Sequence, residues 1–200
     1  MKVTKAQVQE NRQRIVETAS VLFREHGYDG VGVAELMAAA GFTHGGFYKH
    51  FGSKADLMVE AVGCSFAQSA EKTTDVDIAD FVQLYLSRQH RDAPGDGCTM
   101  AALCADVARQ PESLKAAFLT GIENQLATMA HKDAALSESA QHEARADRIA
   151  ILAHVVGAIA LSRACPDDSP LADEILQVCR SRILNQLAGI NLDVNSHHTN

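Results

Sequence analysis

The sequence predicts an all-α protein: a three-helix N-terminal head containing a helix-turn-helix, fused to a larger C-terminal helical domain, with about nine helices in total. Three observations carry this. Apolar residues recur at three- and four-residue spacing along most of the chain, with almost no strand-like alternation. The four prolines, Pro94, Pro111, Pro166 and Pro170, fall where a helix would begin or a loop would run. At 200 residues and 46% hydrophobic content, the chain is large enough to bury a core under either one large or two smaller helical domains. The boundaries read as 1–54 for the head, 55–188 for the second domain and 189–200 for a polar, frayed tail.

The first helix is predicted from Lys5 to His26. Thr4 and Gln7 have capping-box spacing, Ile15, Ala19, Leu22 and Phe23 form one apolar stripe, and Gly27 supplies the stop. A short helix over Val33 to Ala40 is apolar through Leu36, Met37 and Ala40. Gly41 and Phe42 interrupt it, and Thr43 opens another short helix carrying Phe47 and Tyr48. Two short helices joined by a tight glycine turn, braced by a longer one, make a helix-turn-helix. Ser53 and Asp56 form a second capping box, and the helix that follows leaves the head through Leu57, Ala61, Cys64 and Gln68.

Beyond a bend at Thr73 to Asp77, Ile78, Phe81, Val82 and Tyr85 line a fifth helix ending near Arg91. Asp92 to Gly97 is the strongest loop signal in the chain. Thr99 caps a sixth helix, with Cys104, Val107 and Ala108 inward, and Pro111 starts a seventh, with Leu114, Phe118, Ile122, Gln125 and Met129 on one stripe. After a polar joint at His131 to Glu138 come two helices, from about Ser139 to Ala164 and from Ser169 and Pro170 to Leu187. Their broad apolar surface, with Gly157 among alanines, suits packing against a second copy through Ile151, Val155, Ile159, Ile175, Cys179 and Ile183. A well-buried internal hairpin fits the same pattern.

Net charge is −7, but it is unevenly placed. Residues 1–60 balance seven basic side chains against seven acidic ones, so the acidic excess is C-terminal. A head that is neutral overall argues against nonspecific coating of DNA and for recognition driven by geometry. No run of about 18 apolar residues occurs and the N-terminus lacks a signal-peptide pattern, so a soluble, cytoplasmic protein is expected. Cys64, Cys98, Cys104, Cys165 and Cys179 form no close-spaced metal pair and read as free thiols. His197 and His198 read as incidental. No Walker A motif, dinucleotide fingerprint, HExxH or nucleophile elbow is present, so neither an enzyme nor a bound metal or cofactor is expected.

DNA recognition needs side chains and backbone N–H groups presented together at the start of one exposed helix. Thr43, His44, Gly45 and Gly46 occupy that first turn. Adjacent glycines in a helix cost roughly 1 kcal/mol each. Either they let the helix start press against phosphate or base edges, or they form a loose turn before a helix that begins at Phe47. Tyr48, Lys49, His50 and Lys54 follow, with Tyr48 and Lys54 as phosphate donors at the flanks. Phe47 and Phe51 belong to the head's core.

At these residues the sequence closely resembles the TetR family of one-component repressors. The signature runs Ile15, Ala19, Phe23, Gly27, Tyr28, then Val33, Leu36, Ala40, Gly41, Phe42, Thr43, then Gly45, Phe47, Tyr48, His50, Phe51, Ser53, Lys54, Leu57, within residues 10–60. The resemblance implies that Thr43, Gly45, Tyr48, His50 and Lys54 lie at DNA-contacting positions, with His44 where members carry a basic or polar residue. It also implies nine helices, the last two forming a dimer interface. Two departures stand out. Val31 and Gly32 replace a Ser or Thr pair, removing a capping hydroxyl, and Gly46 replaces the commoner Ala or Thr.

By the same resemblance, residues from about Ser53 to Met129 enclose a ligand cavity. Phe66, Phe81, Tyr85, Met100, Cys104, Phe118, Ile122 and Met129 are the candidate walls for a small apolar effector, although an ordinary core presents the same residues. Cys98, after the glycine-rich loop and at a helix start, is a candidate thiol sensor for an electrophile or oxidant. The function expected is therefore a ligand-responsive transcriptional regulator, a homodimeric repressor on a palindromic operator. A helical small-molecule-binding or adaptor protein without DNA binding is the alternative.

Overall fold

The computed structural model describes residues 4–73, 76–130 and 137–196, with side chains to residue 188. Among the described residues every regular element is helical, and no helix is long and apolar enough to cross a membrane. The expected joint at 131–136 and the pair His197 and His198 lie outside the described residues. The chain forms two compact units, one of residues 1–72 with 94–125, the other of 73–93 with 126–200.

In the first unit, α1 (Lys5–His26) opens where the Thr4 hydroxyl accepts the Gln7 N–H at 3.1 Å and stops at Gly27, as predicted. Its inner face carries Ile15, Val16, Ala19 and Phe23, each no more than 4% exposed. Helix α2 (Val33–Ala39) starts at Gly32 without a side-chain cap. The reversal that follows depends on Gly41, whose φ of 84° is in the left-handed region that favours glycine. Residues His44–Lys49 then form a 3-10 helix in place of the expected helix. Gly45 and Gly46 together weaken an α-helical turn, and the tighter i→i+3 bonding closes it instead, as in Gly46 N–H to Thr43 O at 2.9 Å.

Helix α3 (Lys54–Thr73) begins where the Ser53 hydroxyl accepts the Asp56 N–H at 3.1 Å. Leu57, Met58 and Ala61 from α3 close the head's core over Leu36, Met37, Phe47 and Phe51. Full burial of an aromatic such as Phe47 is worth about 3–5 kcal/mol against truncation to Ala.

The Asp92 to Gly97 segment is more ordered than a loop. Pro94–Asp96 is a 3-10 turn with Gly95 buried, because the buried Arg24 on α1 donates through Nε to Gly95 O at 2.8 Å and through Nη1 to the Ser65 hydroxyl. A buried guanidinium needs such acceptors, and the turn is folded around that need. The helices that carry Cys98, Phe118 and Gly121 complete this unit.

In the second unit the predicted fifth helix is broken into α4 (Ile78–Tyr85) and α5 (Arg88–Asp92). Leu86 leaves the helical region at ψ 51°, and Ser87 caps a new helix by accepting the His90 N–H at 3.2 Å. The chain's next helices are α6 (Thr99–Val107) and α7 (Glu112–Met129), followed by α8 (Glu138–Arg163) and α9 (Pro170–Ser196). Cys98, not Thr99, occupies the α6 N-cap position. Helix α9 runs into the expected frayed tail, as far as Ser196, since Gly189 costs only about 1 kcal/mol inside a helix and no proline follows Pro170 to end it.

Arg91, with 3% of its side chain exposed, pins the α8–α9 corner. It donates to the Ser162 hydroxyl at 3.0 Å, the Cys165 carbonyl at 3.1 Å and the Asp167 carboxylate at 3.1 Å. The Ser162 hydroxyl in turn donates to Ala172 O at 2.9 Å.

Candidate nucleic-acid interface

The site is built from the core outward. Phe47 is fully buried and stacks against Phe51 at 5.4 Å, which anchors the 3-10 turn by its inner side and leaves its outer side open. Thr43, His44, Gly45, Tyr48 and Lys49 are exposed there, Tyr48 at 70%. The Thr43 hydroxyl makes no capping bond, so it remains available to an external acceptor. An exposed tyrosine beside a fully buried phenylalanine is the arrangement a recognition element needs: one side chain holds the turn, the next reaches out.

Neither recognition-turn glycine is required by the protein's own packing. A Cβ at Gly45 would meet nothing within 4 Å, and one at Gly46 would make ordinary contact with Met37 at 3.5 Å. The space above Gly45 is open.

Two expected contacts differ. Lys54 donates from Nζ to Tyr28 O at 2.5 Å, with its ammonium 5.8 Å from the Phe23 ring, so it joins α3 to the end of α1 instead of standing free as a phosphate donor. His50 is half-buried at the end of the turn, with a buried Nδ1 that has no hydrogen-bond partner among the described residues. Burial first, then the neighbouring Arg12 and Lys49 cations, hold its pKa below the ordinary histidine value. Its neutral form is thereby favoured relative to that of an ordinary histidine.

The expected effector walls divide between the units. In the first, Phe66 packs edge-on against Phe118 with centroids 5.3 Å apart, Met100 is buried and Ile122 half-buried. Cys104 corrects the expectation: it is exposed, on the outward side of α6, while Leu103 and Val107 face in. In the second unit, Phe81 and Tyr85 stack at 5.2 Å, and Met129 is half-buried. A cleft of about 550 Å³ in that unit is lined by Glu138, His142, Arg145 and Ile149 among others, and by none of the expected walls.

The expected interface residues also need correcting. Ile151, Val155, Ile159 and Ile183 are no more than 5% exposed within the single chain, so they are core, and Ile175 and Cys179 are half-buried. The outward apolar side chains on α8 and α9 are Ile149, Leu161, Leu171 and Val178, and Gly157 has open space above it. Periodicity identified apolar helices but not which of two apolar faces points inward. Sequence reasoning also passed over Arg12, Arg24 and Arg91, whose partners lie far away in sequence.

A buried-core helix-turn-helix with an exposed polar turn defines the class of the head: a helix-turn-helix module similar to those carried by bacterial regulators. Residues 15–61 match the profile of bacterial regulatory proteins of the tetR family, so the head is similar to the heads of that family. It is 42% identical over 57 residues to the transcriptional regulator AcrR of Shigella flexneri, covering 28% of this chain and 26% of that one. It is 32% identical over 81 residues to the transcriptional repressor AcnR of Corynebacterium glutamicum, covering 40% and 43%. The matched stretch thus spans between a quarter and a half of those relatives. The fold extends the likeness: the reduced form of Escherichia coli NemR superposes with a TM-score of 0.67 at 20% identity, over 88% of this chain and 96% of that one. Both relatives are named as helix-turn-helix transcriptional regulators or repressors.

Proposed function

We propose that this protein is a transcriptional repressor that binds a palindromic operator as a homodimer and leaves it when a small apolar or electrophilic effector binds. The observation that carries the reading is the exposed set Thr43, His44, Gly45, Tyr48 and Lys49 on a turn anchored by the buried Phe47. Gly46, His50 and Lys54 belong to the same interface, with Lys54 free to exchange the Tyr28 carbonyl for a phosphate. The functional division is a DNA-reading segment 1–54 and an effector and dimer segment 55–188. Pairing through the outward faces of α8 and α9 is supported by the apolar exposure of Ile149, Leu161, Leu171 and Val178. The protein acts in the cytoplasm, where its operator is.

For the effector, the wall candidates are Phe66, Phe81, Tyr85, Met100, Phe118, Ile122 and Met129. Cys98 is the thiol candidate: it is half-buried at the α6 N-cap and within electrostatic reach of the buried Arg24 guanidinium. Loss of N-ethylmaleimide-induced release from DNA in Cys98→Ser is the result expected, and unchanged release excludes this thiol as the sensor.

The test of the main reading is fluorescence anisotropy on a duplex across a salt series. Wild type binds with a steep salt dependence, and Tyr48→Ala and Thr43→Ala each weaken binding by about tenfold, the scale of one good polar contact to a charged group. Binding unaffected by both substitutions contradicts the assignment.

A further inference from the structure

The recognition turn has little of its own to hold it in place. His44–Lys49 is a single 3-10 segment, its first half contains two glycines, and its bonding includes Gly46 N–H to Thr43 O and His50 N–H to Phe47 O, both 2.9 Å. Its orientation therefore depends on what grips its two ends. Phe47 in the core fixes one side. The other end is gripped by Arg12.

Arg12 sits on α1, 38 residues away in sequence, with 28% of its side chain exposed. Its Nη1 donates to His50 O, the carbonyl at the end of the turn, and its Nη2 donates to the Glu60 carboxylate on α3. The guanidinium carbon lies 4.3 Å from the centroid of the Phe51 ring. One planar fork thus ties α1, the turn and α3 together, satisfying a helix-end carbonyl that would otherwise face water. Lysine, a point charge on a flexible stem, cannot make the three contacts at once. The carboxylate holds the guanidinium in the plane that the carbonyl needs.

We infer that Arg12 is a positioning residue for DNA reading, which together with Glu60 locks the end of the recognition turn to α1 and α3 and does not itself contact phosphate. The inference rests on the DNA-binding reading above and adds to it a residue that touches only the protein.

Charge makes the test sign-sensitive. If Arg12 instead neutralised a phosphate, its removal would lower the salt slope by about one, and Arg12→Lys would preserve the slope. Removing the negative charge of Glu60 would, on electrostatics alone, strengthen DNA binding. The clamp predicts otherwise. With a duplex retained by the wild-type protein from a random library, Arg12→Gln, Arg12→Lys and Glu60→Gln each weaken binding by about tenfold, with the salt slope unchanged. The Lys variant keeps the charge and its thermal melting is followed alongside, so loss of folding is separated from loss of positioning. A reduced slope in Arg12→Gln with wild-type affinity in Arg12→Lys, or tighter binding by Glu60→Gln, overturns the inference. An NMR titration of the His50 ring separates the two ways of failing. Arg12→Gln removes a neighbouring cation and raises the His50 pKa if the clamp exists, and an unchanged titration overturns the clamp. Wild-type protein that retains no duplex overturns the DNA reading on which the inference rests.

Discussion

Phe66 stands edge-on to Phe118, with ring centroids 5.3 Å apart and planes at 80°, and Gly121 lies directly beneath the Phe66 ring. A Cβ at position 121 would come within 2.1 Å of that ring, so the pair is close-packed only because the residue there is glycine. Gly121→Ala is expected to destabilise the protein by about 1–3 kcal/mol, the usual scale of overpacking. Chemical denaturation measures it, and an unchanged midpoint would mean that the ring has room to move.

The recognition turn predicts the opposite for its own glycine. Gly45 has open space above it and a φ outside the left-handed region, so Gly45→Ala folds with wild-type stability or slightly better. DNA affinity nevertheless falls, because the added methyl occupies the approach of the phosphate or base edge. Thermal melting and anisotropy together check it; a variant that binds as well as wild type places the glycine outside the interface.

The α8–α9 corner is expected to loosen without Arg91. Its two carboxylate partners are exposed, Asp92 at 51% and Asp167 at 94%, so most of the loss comes from the Ser162 and Cys165 groups left without a donor. Arg91→Met should cost about 2 kcal/mol, read by urea unfolding, with DNA affinity per folded dimer unchanged.

The proposed subunit interface and the core separate cleanly on α8 and α9. Leu161→Glu and Val178→Glu alter side chains that are 63% and 50% exposed, so both variants fold but sediment as monomers. Ile159→Ala removes a fully buried side chain and costs about 2–5 kcal/mol without changing the association state of the folded protein. Dimers that survive both Glu substitutions would move the interface elsewhere.

His50 gives a pH signature. Its pKa in the folded chain is lowered by burial and by Arg12 and Lys49, so below the ordinary value of about 6.5 the unfolded chain takes up a proton more readily. Stability is therefore lost as pH falls through about 6.5 toward the folded pKa. His50→Gln should lose less stability than wild type between about pH 7.5 and 5.5, a window that brackets the ordinary histidine value, as urea midpoints would report, with His90, also lowered by burial, retaining its own share.

The head was legible where one residue type has one structural use. Gly27 and Gly41 stop and reverse the chain at positive φ, Thr4 and Ser53 cap α1 and α3, and Phe47 and Phe51 enter the core. What was not legible depends on distant partners or on a choice between equivalent faces. The Pro94–Asp96 turn is folded around Arg24, 71 positions away from Gly95. Arg12 carries no local signal that its acceptor is His50. On α8, both the inner face of Ile151, Val155 and Ile159 and the outer one of Ile149 and Leu161 are apolar, and periodicity alone ranks neither. Cys104 sits one position away from Leu103, and a shift of one residue, about 100° around the helix, moved it outside.

Whether the head reads DNA is decided by repeated selection of random duplex DNA on the purified full chain, followed by footprinting of the retained sequence. An inverted repeat is predicted, with half-sites about one helical turn apart, roughly 34–36 Å or a multiple of it, and with protection lost in Tyr48→Ala. Recovery of no enriched sequence even at low salt, from protein shown to be folded, would contradict DNA reading by this head.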